Sequence, residues 1–164
     1  TRKESSAASD VYKRQEYGIV DEPGLPMLEE ALEKYPGLKF IGHSQPFWHE
    51  ISQDAKPDLK SRMEWGRGPV REGGRLVCLM RNYKNLYADL SANSGGCAIM
   101  RDEKFGLQFL EEFQDRLMFG TDMVNTDMVF PLGEWLDRQY QEGKLSAQAY
   151  RKICFENAKK IFQL

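Results

Sequence analysis

The stretch YPGLKFIGHS, residues 35–44, holds a helix stop, a short apolar run and a polar end within ten residues. Pro36 and Gly37 do not continue a helix, so a helical segment before them ends there. Residues 38–44 (LKFIGHS) then read as a short buried strand that delivers His43 and Ser44 to its C-terminal end. The same order of events recurs twice: YKNLYADLS (83–91) places a strand over 85–91, and FQDRLMFGTD (113–122) places one over 116–122. Each strand follows residues at helical spacing. These are Leu28, Ala31, Leu32 and Tyr35 in PGLPMLEEALEKYPG, then Leu76, Leu79, Met80 and Tyr83 over 75–83, then Phe109, Leu110 and Phe113 over 104–114. Alternating helices and short apolar strands predict an α/β fold with a parallel sheet and crossover helices. Two more helices are expected, over 131–141 and 146–162. The second has Ser146 as N-cap and Tyr150, Ile153, Cys154, Asn157 and Ile161 on one stripe.

Parallel α/β folds place ligands at the C-terminal ends of their strands. Here those ends carry His43 with Ser44, Asp89 with Ser91, and Asp122. Asp122, in FGTD, is the strongest signal, because a carboxylate ending a buried strand needs a cationic partner to offset desolvation. A divalent metal is one such partner, and a helix N-terminus or an arginine is another. His43 follows FIG at the mouth of the first strand, whereas His49 in PFWHE reads as a surface or rim residue. Ser44, Phe47 and Trp48 either line a pocket or pack between strand and helix. Asp89 reads as buried in alternation or turned to a helix. The chain has no nucleotide-binding glycine fingerprint and no Gly-x-Ser-x-Gly elbow. SGG at 94–96 reads as a loop. The polar stretch 52–74, with Met63, Trp65 and Val70 as its apolar anchors, reads as a loop packed over the site.

Composition narrows the classes further. The 164 residues hold 23 Lys+Arg, 25 Asp+Glu, 2 His and 3 Cys, with 41% hydrophobic residues, enough for one domain with a core. No run approaches the roughly 18–20 apolar residues of a membrane span. A net charge of −2 without basic clusters argues against nucleic acid and anionic membranes as default partners. Cys78, Cys97 and Cys154 are too few and too scattered for a disulfide framework or a CxxC metal site, which points to a reducing cytoplasm. TRKESSAASDVYKRQ, residues 1–15, is polar and aperiodic, and SSAASDVYKRQ is the translation of a transposon adapter used in sequencing libraries. These fifteen residues are expected to be a foreign, disordered tail, with the domain over 16–164. They carry four basic and two acidic side chains, so the remaining 149 residues have a net charge of −4.

PGLPMLEEALEKYPGLKFIGHSQPFW, NLYADLSANSG, FLEEFQDRLMFGTD and YRKICFENAKKIF together resemble the C-terminal half of an amidohydrolase-related (amidohydrolase family 2) metal-dependent hydrolase, the branch that includes aromatic-acid decarboxylases. The resemblance implies a (β/α)8 TIM barrel, with LKFIGHS, NLYADLS and RLMFGTD as about its sixth, seventh and eighth strands. It assigns Asp122 to metal binding and to proton handling on the attacking water. It assigns His43 to metal ligation or to a polarising, proton-transferring place beside the metal, which is expected to be zinc. The paired His-x-His of the first strand and the fifth-strand histidine have no counterpart here, which implies that the chain is a fragment of a longer protein. Such a fragment is expected to be inactive alone and to self-associate, as a homo-oligomer or an aggregate, or to fold only partly. Three alternatives stay open at this stage: a decarboxylase of the same superfamily, a non-enzymatic α/β binding module, and a complete small α/β protein with an adapter-like tail.

Overall fold

A computed structural model describes residues 18–164, so the expected foreign tail at 1–15 lies outside the described residues. Helix α1 spans Pro26–Lys34, with proline in its first turn, where the missing N–H costs nothing. The carboxylate of Asp21 accepts from the N–H groups of Met27 and Leu28 at 3.1 and 2.9 Å, so the cap comes from outside the helix. Strand β1, Phe40–Gly42, follows the Pro36–Gly37 stop. Helices α2 (Gln45–His49) and α3 (Leu59–Arg62) come next, then α4 (Arg75–Asn82) and strand β2 (Leu86–Asp89). Helix α5 (Ala92–Met100) leads to α6 (Glu103–Glu112), where the Asp102 side chain accepts from the Phe105 N–H, and then to β3 (Leu117–Met118).

The three strands form one parallel sheet in the order β1-β2-β3, with Phe40 opposite Leu86 and Ala88 opposite Leu117. Leu86, Ala88 and Leu117 are fully buried and share one core with Leu76, Leu79, Met80, Ile99 and Leu110. Tyr87 and Asp89, in the other phase of the pleat, are only half-buried. Among the described residues no helix is long and apolar enough to cross a membrane. All three cysteines are free thiols.

The alternating helix–strand order is as expected, and three local expectations are corrected. SGG at 94–96 is not a loop but part of α5. Glycine is a weak helix former, yet a Cβ at Gly95 would stand 2.7 Å from the Leu90 backbone, so tertiary packing selects glycine there over propensity. The stretch 52–74 is not irregular throughout. It contains α3, and Trp65 borders a cavity with His49 and Arg101. The third strand closes at Met118 and not at Asp122, because the Phe119 N–H turns away and donates to the Ile153 carbonyl at 2.8 Å.

That carbonyl belongs to a widened turn. Helix α7 (Pro131–Gln141) is followed by α8 (Ala147–Arg151), capped by Ser146 as expected. The chain then passes through a π-helical turn, Lys152–Glu156, into α9, Asn157–Phe162. Beyond the turn the buried Asn157 amide donates to the carbonyls of Gln114 and Leu117 at 2.6 and 2.8 Å. Asn157→Ala strands both acceptors, and it is expected to cost about 1–3 kcal/mol. The check is a lower urea midpoint at an unchanged m-value.

Candidate active site

Each strand exit is built the same way. The residues that turn the chain out of the sheet after β1, β2 and β3 are Ser44 (φ 79°), Ala92 (φ 51°) and Asp122 (φ 51°). Left-handed backbone costs a non-glycine residue on the order of 1–3 kcal/mol, and such strain gathers where function needs a fixed geometry. Here it brings His43, Asp89 and Asp122 together above the sheet.

His43 lies between two carboxylates. Its Nδ1 is 3.2 Å from Asp89 Oδ2 and its Nε2 is 3.7 Å from Asp122 Oδ2. Asp89 is firmly held. Ser91 donates its hydroxyl to Asp89 Oδ2 at 2.7 Å and its backbone N–H to Oδ1 at 2.8 Å, while the Trp48 indole N–H reaches the Asp89 carbonyl at 3.1 Å. The hydrogen bond to Asp89 raises the His43 pKa against the opposing effect of burial, and both carboxylates add to the rise. Burial works to raise the Asp89 pKa, but the hydrogen bonds from His43 and Ser91 outweigh it and leave it lowered. An ionised Asp89 therefore holds the ring with its proton on Nδ1 and presents Nε2 on the Asp122 side.

Sequence reasoning set Asp89 aside, and the structure turns its side chain to His43. Asp122 in turn is less buried than a strand-end carboxylate should be, at 42% side-chain exposure. A cavity of about 310 Å³ opens at this point, with Asp89, Ser91 and Asp122 at its polar end and Ile41, Met118 and Phe162 on its apolar wall. Ser44, Phe47 and Trp48 do not line it. Ser44 is buried, with no hydrogen-bond partner on its hydroxyl among the described residues. Phe47 is packed so tightly over Gly42 that a Cβ there would overlap its ring. Trp48 stands edge-on to Phe47 and Phe109.

The pair His43 Nε2 and Asp122 Oδ2 fits two donors of a divalent ion. Ligand bonds of 2.0–2.2 Å at a tetrahedral angle set donors roughly 3.3–3.6 Å apart, close to the 3.7 Å found here. A carboxylate on the far ring nitrogen is also the usual support of a metal-ligating histidine. Two donors are fewer than the three protein ligands of a catalytic zinc site. Among the described residues, no group of three or more His, Cys, Asp and Glu side chains is arranged to hold a metal ion.

A parallel sheet with crossover helices, its acid and imidazole gathered where the strands end, is architecture of the barrel-forming α/β kind. The amidohydrolase family profile matches residues 19–164, and the chain belongs to that family. The family is one of TIM-barrel-like, typically metal-dependent enzymes of the hydrolase and decarboxylase kinds. Neither the curated proteins nor the solved structures gave a significant match.

Proposed function

We propose that this chain is the C-terminal part, about strands six to eight, of a (β/α)8 metal-dependent hydrolase. In this reading an activated water attacks a C–N or C–O bond of a small-molecule substrate. The observation that carries it is the approach of His43 Nε2 to Asp122 Oδ2 at two strand exits, with Asp89 behind the ring. The chemistry a divalent ion supplies when bound is Lewis acidity, which makes water a nucleophile near neutral pH. His43 and Asp122 would hold that ion, zinc by the donor set, together with ligands from the remainder of the barrel. Asp122 takes the proton released by the attacking water and returns it to the leaving group. Where Nε2 of His43 is left off the ion, the same ring, oriented by Asp89, would instead polarise the substrate carbonyl or hydrogen-bond the attacking water. The apolar wall of the adjoining cavity excludes water from the reacting atoms.

Zinc titration of the chain followed by calorimetry tests the assignment. His43→Ala and Asp122→Asn are each expected to abolish measurable binding, and unchanged binding in either variant overturns it. Asp89→Asn keeps the donors but loosens the ring, and it is expected to weaken zinc binding about 10- to 100-fold. The chain alone is expected to show no turnover and to self-associate, because β1 leaves one edge of the sheet unpaired among the described residues. A monomeric, cooperatively unfolding chain with metal-dependent hydrolysis would refute the partial-barrel reading.

A further inference from the structure

On the far side of Trp48 from Asp89 lies a second cavity, of about 240 Å³. It shares no lining residue with the one at Asp122. Three cationic side chains border it, Lys56, Arg67 and Arg101, together with the half-exposed indole of Trp65. Arg101 is the unusual one. It is half-buried, and Gly66 lies so close that a Cβ there would overlap its Nη1. The two carboxylates whose charge it feels are Asp54, which also borders the cavity, and Asp102, and both already have other partners. Asp54 accepts from the Ser52 hydroxyl at 2.6 Å and pairs with Arg71 at 3.5 Å. Asp102 accepts the N–H groups of Val70 and Phe105, both at 3.1 Å. Glu64 also borders the cavity, without an ion pair to Arg101.

The cavity continues inward to a recess of about 10 Å³, the size of a single oxygen-centred group. Arg101 and Ser94 both line this recess, and Glu64 and Gln45 border it as well. Arg101 Nε and Ser94 Oγ are each buried with no hydrogen-bond partner among the described residues, and Ser94 as a whole is 4% exposed. Two unpaired buried donors at one end of a cavity carry a desolvation cost that an acceptor oxygen would remove. A guanidinium with free N–H groups is also the preferred partner of a carboxylate or phosphate.

We infer that this cavity is a binding site for a small oxyanion, carboxylate or phosphate, with one oxygen held in the recess by Ser94 and Arg101. The exposed edge of the anion lies between Arg67 and Lys56, and a planar body would rest on Trp65. The site stands apart from the His43–Asp122 pair. The Trp48 side chain, which borders the recess and donates to the Asp89 carbonyl, lies between the two.

The test uses the full chain and its own tryptophans. Trp48 and Trp135 are 2% and 6% exposed against 50% for Trp65, so acrylamide-quenchable emission comes from Trp65. Sodium benzoate and inorganic phosphate are titrated separately, and each is expected to protect Trp65 saturably if both anion classes bind. A response to only one assigns the site to that class. Arg101→Gln is expected to weaken binding about 10- to 100-fold and Ser94→Ala about tenfold, from hydrogen bonds to a charged group. Arg67→Gln, on the surface, weakens it without risk to the fold. Asp122→Asn leaves it unchanged, which keeps this result separate from the fate of the metal reading. A flat titration with both anions, or full affinity in Arg101→Gln together with Arg67→Gln, overturns the inference.

Discussion

Asp122→Asn in the proposed complete barrel is expected to lower turnover about 10²–10⁴-fold, the contribution usual for the general acid–base role proposed for it. Asparagine keeps the size of the side chain and one acceptor oxygen but can neither take up a proton nor carry charge toward a cation. The left-handed backbone at this position (φ 51°) favours asparagine as well as aspartate, so the fold should tolerate the change. The loss should therefore fall on kcat, with thermal stability of the barrel unaltered. Equal turnover for the two forms would remove Asp122 from the chemistry. A drop that tracks a lower melting temperature would assign it a purely structural part.

Phe47→Ala is expected to cost about 3–5 kcal/mol in unfolding free energy, a large part of the 5–15 kcal/mol that typically holds a domain together. Phe47 is fully buried, and its ring occupies the space a side chain on Gly42, the residue before His43, would take. Gly42→Ala should also be destabilising, by about 1–3 kcal/mol, through overpacking. The two changes are complementary, since the new methyl enters the vacated volume. The double variant should therefore cost less than the sum of the singles. Urea unfolding of the three variants measures this. If Phe47 instead served substrate recognition, its loss would raise KM and leave the urea midpoint where it was.

The strand ends were legible because the chain punctuates them plainly. Pro36–Gly37 stops a helix, an apolar run follows, and His43 comes out at its end. FGTD does the same for Asp122, although the regular strand stops four residues earlier. Asp89 was not legible, for a physical reason. Leu86, Tyr87 and Ala88 are all apolar or aromatic, so the strand shows no alternation from which to tell its two faces apart. Only the pleat phase, with Leu86 and Ala88 against the helices, reveals that Asp89 points toward His43. The glycines of α5 misled because propensity is a local quantity, whereas the Leu90 backbone that selects Gly95 is a tertiary neighbour. The course of 52–74 was equally hidden. Its anchors are the buried Arg62, whose Nη1 donates to the Asp21 carbonyl at 2.7 Å, and the Val70 N–H bound to Asp102, neither of which leaves a hydrophobic pattern.

The π-helical turn at Lys152–Glu156 has a consequence for how this chain tolerates length changes. An α-helix advances about 100° per residue, so deleting one residue there to restore a regular spiral would rotate everything beyond it by that angle. Asn157 would swing off the carbonyls of Gln114 and Leu117, and the Ile153 oxygen would return to its own helix and release Phe119. A single-codon deletion at this point, on the opposite side of β3 from His43, would therefore shift the loop that carries Asp122 while every side chain of the site stayed in place in the sequence.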